Sequence, residues 1–341
     1  MTTRGALMHA EMSEQPSVLR TLASRRPETV DRLRAALPPN PAGYALVARG
    51  SSDNAAIFGR YILEVTARRP VSLVAPSLLT LYQAQTDYSG YIAVAISQSG
   101  ETPEIVQTMH ELRRRGAWVV AVTNSSDSPL ASQADISLEL HAGRERAIPA
   151  TKTFTAQLAA MAVLAEASRE VPWRDRHWER IPSAVEEVLD DWSAVEQTAE
   201  ALTTATGMIT VGRGYLFPVA LEAALKIKET TSMLTIGYSA ADLRHGPIAI
   251  VERDYPVLAY LTDGPARTDM EALVAELRQR GAPVVVADTG GVADLRLPDG
   301  LPEALVTIPA AVRAQQLAHT LALRLGLDPD TPEGLSKVTR S

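Results

Sequence analysis

The chain contains no cysteine, which excludes disulfides, thiolate metal sites and cysteine nucleophiles. Its six histidines are scattered, with no pair at a ligand spacing, so neither a metal centre nor another cofactor is expected. Nothing approaches the ~20 uninterrupted apolar residues of a membrane helix. The opening "MTTRGALMHAEMSEQP" also lacks the apolar core of a signal peptide, so the expected location is the cytoplasm, away from membranes. Positive charge is in deficit. With 33 Lys and Arg against 40 Asp and Glu, the net charge of −7 gives no broad basic field for nucleic acid. An anionic ligand must therefore be held by local donors, which points to a small phosphorylated or carboxylated molecule.

What is present is a long, apolar-rich chain: 341 residues, 46% hydrophobic, enough for two compact units with separate cores. The first 37 residues read as helical and stop at the prolines and glycine of "PPNPAG". Short apolar runs then alternate with amphipathic stretches: "YALVA" (44–48), "SLVA" (72–75), "YIAVAI" (91–96), "WVVAV" (118–122) and "ISLEL" (136–140). Such runs, separated by helix patterns, predict buried parallel strands joined by crossover helices. Residues 152–205 read as mostly helical, after which strands are expected at "MITV" (208–211), "PVLAYL" (256–261), "PVVVA" (283–287) and "ALVTI" (304–308). A long final helix is expected to end near Leu327.

The halves repeat each other. "VARG" (47–50) recurs as "VGRG" (211–214), and "ELRRRGAWVVAV" (111–122) as "ELRQRGAPVVVA" (276–287), at offsets of 164 and 165 residues. The fold class expected is α/β, with two tandem doubly wound parallel sheets whose ligands bind at the carboxyl ends of the strands. The expected division is a helical segment over 1–37, domains over 38–170 and 195–327, and a tail over 328–341.

After "YIAVAI" the chain enters "SQSGETPE" (97–104), where Ser97, Gln98, Ser99 and Thr102 surround a glycine at the expected start of a helix. Backbone N–H groups there, with the hydroxyls, form a cradle for phosphate; a turn with serine caps is the plainer alternative. The repeat favours the cradle, because the second half has "TDGPARTD" (262–269), where Asp263 stands for Gln98 and Gly264 for Ser99 and an anion would be repelled. A second small-residue loop, "ARGSSDNAA" (48–56), offers Gly50, Ser51 and Ser52 to a sugar or its phosphate. Arg49 in that loop is either a ligand contact or, given its counterpart Arg213, a structural residue. In "AIPATKT" (147–153) Lys152 opposes the helix dipole, which a nearby anion or solvent exposure explains.

In "VALEAALKIKETTSML" the polar residues Glu222, Lys226 and Glu229 form one stripe on an apolar helix, as a solvated salt-bridged face does. Downstream, His245 precedes Gly246 and Pro247, a turn that presents an imidazole able to exchange protons near neutral pH.

"SQSGET", "ALKIKE", "LRHGP", a terminal "GLSKVT" and the early "EQP" (14–16) together resemble the sugar isomerase (SIS) family. The likeness is to the isomerase portion of glutamine–fructose-6-phosphate aminotransferase, and it covers essentially the whole chain. It implies that the serine loops bind the phosphate of a hexose 6-phosphate, with Ile148 and Ser336 as further substrate contacts. It also implies Glu229 as the base moving a proton between C1 and C2, Lys226 as its electrostatic partner, His245 as the ring-opening group and Lys337 as the amine near the carbonyl carbon. That aminotransferase carries a glutaminase domain with a cysteine nucleophile; this chain, without the length or the cysteine, is expected not to draw nitrogen from glutamine. "ARGSSDNA" and "PEGLSKVT" resemble the SIS-type glucosamine-6-phosphate deaminases more closely. The expected function is thus a homodimeric enzyme converting glucosamine 6-phosphate and water to fructose 6-phosphate and ammonia. A fructosamine 6-phosphate deglycase, a plain aldose–ketose isomerase and a sugar-phosphate sensor without turnover are the alternatives.

Overall fold

The computed structural model describes residues 3–251, 255–291 and 293–337. Two compact units make up the chain, one of residues 18–145 and 152–174, the other of residues 3–17, 146–151 and 175–337. The elements in chain order begin with α1 (Ala6–Ser13), α2 (Gln15–Ala36), β1 (Gly43–Val47), α3 (Ser51–Ala67), β2 (Val71–Leu73) and α4 (Pro76–Thr80). They continue with β3 (Tyr91–Ile96), α5 (Pro103–Arg114), β4 (Trp118–Thr123), α6 (Pro129–Gln133), β5 (Ile136–Glu139) and α7 (Lys152–Ser168). The second half follows with α8 (Asp175–Asp190), α9 (Ser193–Leu202), β6 (Gly207–Gly212), α10 (Phe217–Thr231), β7 (Leu234–Ser239) and α11 (Ala240–Arg244). Last come β8 (Val257–Leu261), α12 (Arg267–Gln279), β9 (Val284–Asp288), β10 (Leu295–Arg296) and α13 (Glu303–Arg324).

Each half builds one five-stranded, all-parallel sheet, in the orders β2-β1-β3-β4-β5 and β10-β9-β8-β6-β7. Taken from the other edge, the second order is the first one repeated, with β6 in the place of β1. The duplicated doubly wound α/β architecture expected from the repeat is therefore present. In each sheet the strand order reverses between β1 and β3, or β6 and β8, and the crevice beyond the carboxyl ends of those two strands is where such sheets take ligands. Apolar side chains on both faces explain the strands: Ala45, Val47, Ala93, Ala95, Val119 and Ala121 pack with Ile105, Met109 and Leu112 of α5 in one core. Val219, Ala223 and Ile227 of α10 join Val306, Ala310, Leu317 and Leu321 of α13 in another.

One expected strand needs correction, and two strands, β7 and β10, lie outside those expected. "ALVTI" (304–308) is the first turns of α13, not a strand. A short apolar run looks the same in a buried helix and a buried strand, and α13 is buried on nearly every side. The edge strand β7 was hidden inside the helical pattern; α10 stops at Ser232, which takes φ 57, and the strand begins two residues later. Gly237 lets α10 approach closely, since a Cβ there would lie 2.9 Å from the Leu221 Cα. No helix among the described residues is long and apolar enough to cross a membrane.

Candidate functional site

In the first half, the two small-residue loops leave adjacent strands. β1 and β3 pair in parallel from Gly43 opposite Tyr91 to Val47 opposite Ala95, so residues 48–50 and 97–102 emerge side by side at the carboxyl edge. Gly50 takes φ 60, and space for a Cβ is open there, so the backbone at the start of α3 faces free volume. Ser52 is buried and accepts a hydrogen bond from Gln157 Nε2 of α7 at 2.9 Å, which fixes its hydroxyl; Ser51 is half-buried.

The loop 97–102 folds on itself. Ser97 Oγ accepts from the Gly100 N–H at 3.2 Å and lies 3.4 Å from Thr102 Oγ1, while Ser99 Oγ accepts from the Glu101 N–H at 3.2 Å. The Gln98 carbonyl accepts from the Asn124 N–H at 3.1 Å. Gly100, at φ 67, has no room for a side chain, because a Cβ would overlap Ser128 Oγ. Thr102 occupies the N-cap position of α5, yet no side-chain cap hydrogen bond is made there. The hydroxyls of Ser97 and Ser99 thus serve N–H groups of their own turn, as the plainer alternative has it, while Thr102 leaves the start of α5 without a side-chain cap.

The equivalent loop of the second half is closed by its own charges. Arg267, at the place of Thr102, binds Asp263 at 3.1 Å, Glu271 at 2.9 Å and Asp288 at 2.9 Å. One guanidinium among three carboxylates leaves that loop net negative, which repels a phosphate.

Lys152 is corrected on one point: it is 1% exposed, so solvent does not account for it. The start of α7 already carries an anion of the chain, for Glu145 accepts from the Thr153 N–H at 3.1 Å and from its hydroxyl at 2.7 Å.

In the second half, the polar stripe of α10 is not a solvated face. The Lys226 side chain is 1% exposed and Glu222 is fully buried, 3.6 Å from the Lys226 ammonium, while Glu229, which also takes a hydrogen bond from Lys226, keeps 24% of its side chain exposed. α10 therefore presents a cation fixed by one sealed carboxylate and one that solvent can reach. The two carboxylates place opposite charge beside the buried ammonium.

His245 follows α11, exposed, with its N–H bonded to Ala241 and Asp242 carbonyls at 3.2 Å. Among the described residues its imidazole makes no hydrogen bond, ion pair or ring contact, and it is not brought onto Lys226 or Glu229. The tail residues 328–337 are held against the segment 146–151. Lys337 Nζ donates to the Ala147 carbonyl at 2.7 Å, and the Ile148 N–H donates to the Asp330 carbonyl at 3.0 Å. Ser336, Lys337 and Ile148, far apart in sequence, are thus neighbours. The residues that lock these pieces, namely Gln157, Ser128, Glu145 and Asp330, carried no motif signal. Only the tertiary partner reveals them.

The family model for the SIS domain matches residues 44–167 and 201–290. Glutamine–fructose-6-phosphate aminotransferase [isomerizing] from a strain of Thermus thermophilus is 35% identical, covering 97% of this chain and 58% of its own length. The chain thus spans little more than half of that relative. The C-terminal domain of glucosamine-fructose-6-phosphate aminotransferase from Francisella tularensis superposes with a TM-score of 0.86 at 24% identity, covering 96% of this chain and 98% of that one. Glucosamine-6-phosphate deaminase from Thermotoga maritima does so with a TM-score of 0.74 at 23% identity, covering 95% and 99%. At those identities the two structures speak to the fold alone.

Proposed function

The chain belongs to the SIS-domain family, and from that premise we propose that it is an amino-sugar-phosphate isomerase that releases ammonia, converting glucosamine 6-phosphate and water to fructose 6-phosphate. The observation that carries this reading is the buried Lys226 held by Glu222 and Glu229, with Glu229 alone reaching solvent. A base needs one accessible carboxylate beside a fixed positive charge.

In this reading the serines and backbone N–H groups of residues 50–52 and 97–102 hold the phosphate dianion. His245 takes part in opening the ring. Glu229 removes the proton from C2 of the open aldose and returns it to C1. The intermediate is a cis-enolamine, and Lys226 stabilises charge developing in the transition state. The product, an imine at C2, adds water and loses ammonia, so atoms balance without a redox partner. Lys337 is assigned to the carbonyl carbon. Ammonia, not glutamine, is the nitrogen species proposed here because these 341 residues include no cysteine. The relative at 35% identity is named for fructose 6-phosphate, which supports the hexose 6-phosphate class. The proposed assembly is a homodimer.

Purified protein incubated with glucosamine 6-phosphate should release ammonia and form fructose 6-phosphate in equal amounts. Interconversion of glucose 6-phosphate and fructose 6-phosphate with no ammonia from any amino sugar would make it a plain isomerase. Binding with no turnover would make it a sensor.

A further inference from the structure

Arg49 joins the two loops assigned to phosphate without belonging to either set of proposed contacts. Its Nε donates to Glu104 Oε2 at 3.0 Å and its Nη1 to its neighbour's carbonyl, Ala48, at 3.3 Å. Glu104 lies in the first turn of α5, and Asp53 in the first turn of α3. Both helices therefore begin with a carboxylate next to the N–H groups that would receive a dianion, a costly arrangement unless a cation sits beside them. Arg49 is that cation: burial pushes the Asp53 carboxyl above its usual range while the Arg49 charge opposes the rise.

The second half makes the same contact. Arg213, at an offset of 164 residues, binds Asp269 of the first turn of α12 at 2.8 Å, and Asp269 is 165 residues on from Glu104. There the neighbouring loop is occupied by Arg267, so the arginine–carboxylate tie persists where no phosphate site does. This argues for an action through the helix start, not through a ligand.

We propose that Arg49 is a positioning residue of the phosphate site: by holding and neutralising Glu104 it ties the β1–α3 turn to the first turn of α5 and keeps that carboxylate from repelling the phosphate. The proposal rests on the assignment of residues 50–52 and 97–102 to phosphate.

A double-mutant cycle over Arg49→Ala and Glu104→Gln tests it, with inorganic phosphate as the probe in calorimetry and KM, kcat and Tm as companions. Arg49→Ala should weaken phosphate binding and raise KM about three- to tenfold. kcat and Tm should hardly move, since the Arg49 side chain is 49% exposed and such pairs contribute little to stability. With Glu104→Gln already in place the same substitution should cost less than about twofold, because the charge it acts through is gone. Equal penalties in both backgrounds mean direct ligand contact and overturn the proposal, as does no penalty in either. Phosphate binding that obeys the cycle, in a protein that turns over no amino sugar, sinks the proposed reaction and leaves Arg49 its role. Failure to bind phosphate at all removes both.

Discussion

Lys337 donates from its ammonium to the carbonyl of Ala147 across 2.7 Å, joining residues 190 positions apart. Upstream, Asp330 is 4% exposed and accepts from the Leu7 and Met8 N–H groups at 3.0 and 2.7 Å, capping α1 from the far end of the chain. Stability and the proposed chemistry thus part company within seven residues. Removing residues 331–341 should abolish ammonia release while Tm stays within a few degrees of wild type. Asp330→Ala, in contrast, should cost about 1–3 kcal/mol, the range for a charged acceptor serving buried N–H groups. Wild-type turnover by the truncation would take Lys337 out of the mechanism.

The loop 97–102 should decide affinity. Ser99→Ala, or Ser97→Ala with Thr102→Ala, should raise KM for the phosphorylated sugar at least about tenfold, since each lost bond to a charged group is worth roughly 1.5–3 kcal/mol. Gly100→Ala should do more harm, because φ 67 is strained for alanine and the new methyl collides with Ser128 Oγ. Both effects are read from steady-state kinetics beside a melting curve. A serine variant with unchanged KM would reduce the loop to a turn.

Much of the fold was legible for one physical reason: a parallel strand buried on both faces is a near-continuous apolar run. β3 begins and ends where "YIAVAI" does. β7 was illegible because its one clear signal, Gly237, reads as a breaker when it marks close packing against α10. The serine loops announced themselves through small residues after a strand. The environment of Lys226 did not. A lysine and two glutamates on one stripe look solvated in sequence, and only the packing of α10 against α13 and β7 removes the water.

His319 should make stability depend on pH. It is held in α13 with Nε2 3.0 Å from the Gly5 carbonyl, its ring between His9, 5.8 Å away, and Trp192, 6.0 Å away. Burial lowers its pKa below the ordinary 6.5; His9 adds to the fall, while the Gly5 bond and Asp330 oppose it. The unfolded chain therefore takes up a proton near pH 6.5 that the folded one refuses until lower pH, and stability is lost as pH falls through that window. The slope from this one group is at most about 1.4 kcal/mol per pH unit. Urea unfolding between pH 7.5 and 5.5 should show a flatter dependence in His319→Gln. An identical slope would assign the acid loss to other groups.

Lys226 should be a poor residue for probing catalysis by itself. Lys226→Met leaves Glu222 as a fully buried carboxylate without its cation, and breaking such a pair costs about 3–5 kcal/mol. Adding Glu222→Gln should recover part of that loss in chemical denaturation. If Lys226→Met is as stable as wild type, the pair is solvated in a way the burial of both side chains does not allow.

Glu229 separates an enzyme from a sensor. A carboxylate relaying a proton between adjacent carbons contributes about 10²–10⁴-fold to rate, and its amide keeps the shape without the basicity. Glu229→Gln also keeps an acceptor for Lys226, so it should fold and bind phosphate sugar almost normally while kcat collapses. On a solvated face such a pair would contribute only about 0.3–0.5 kcal/mol, and the substitution would pass unnoticed. Solvent exchange supplies the independent reading: in deuterated water the wild type should place deuterium on C1 of the product, and the glutamine variant should not. Near-normal turnover and exchange in Glu229→Gln would move the proton relay elsewhere, with the exposed imidazole of His245 as the first group to test.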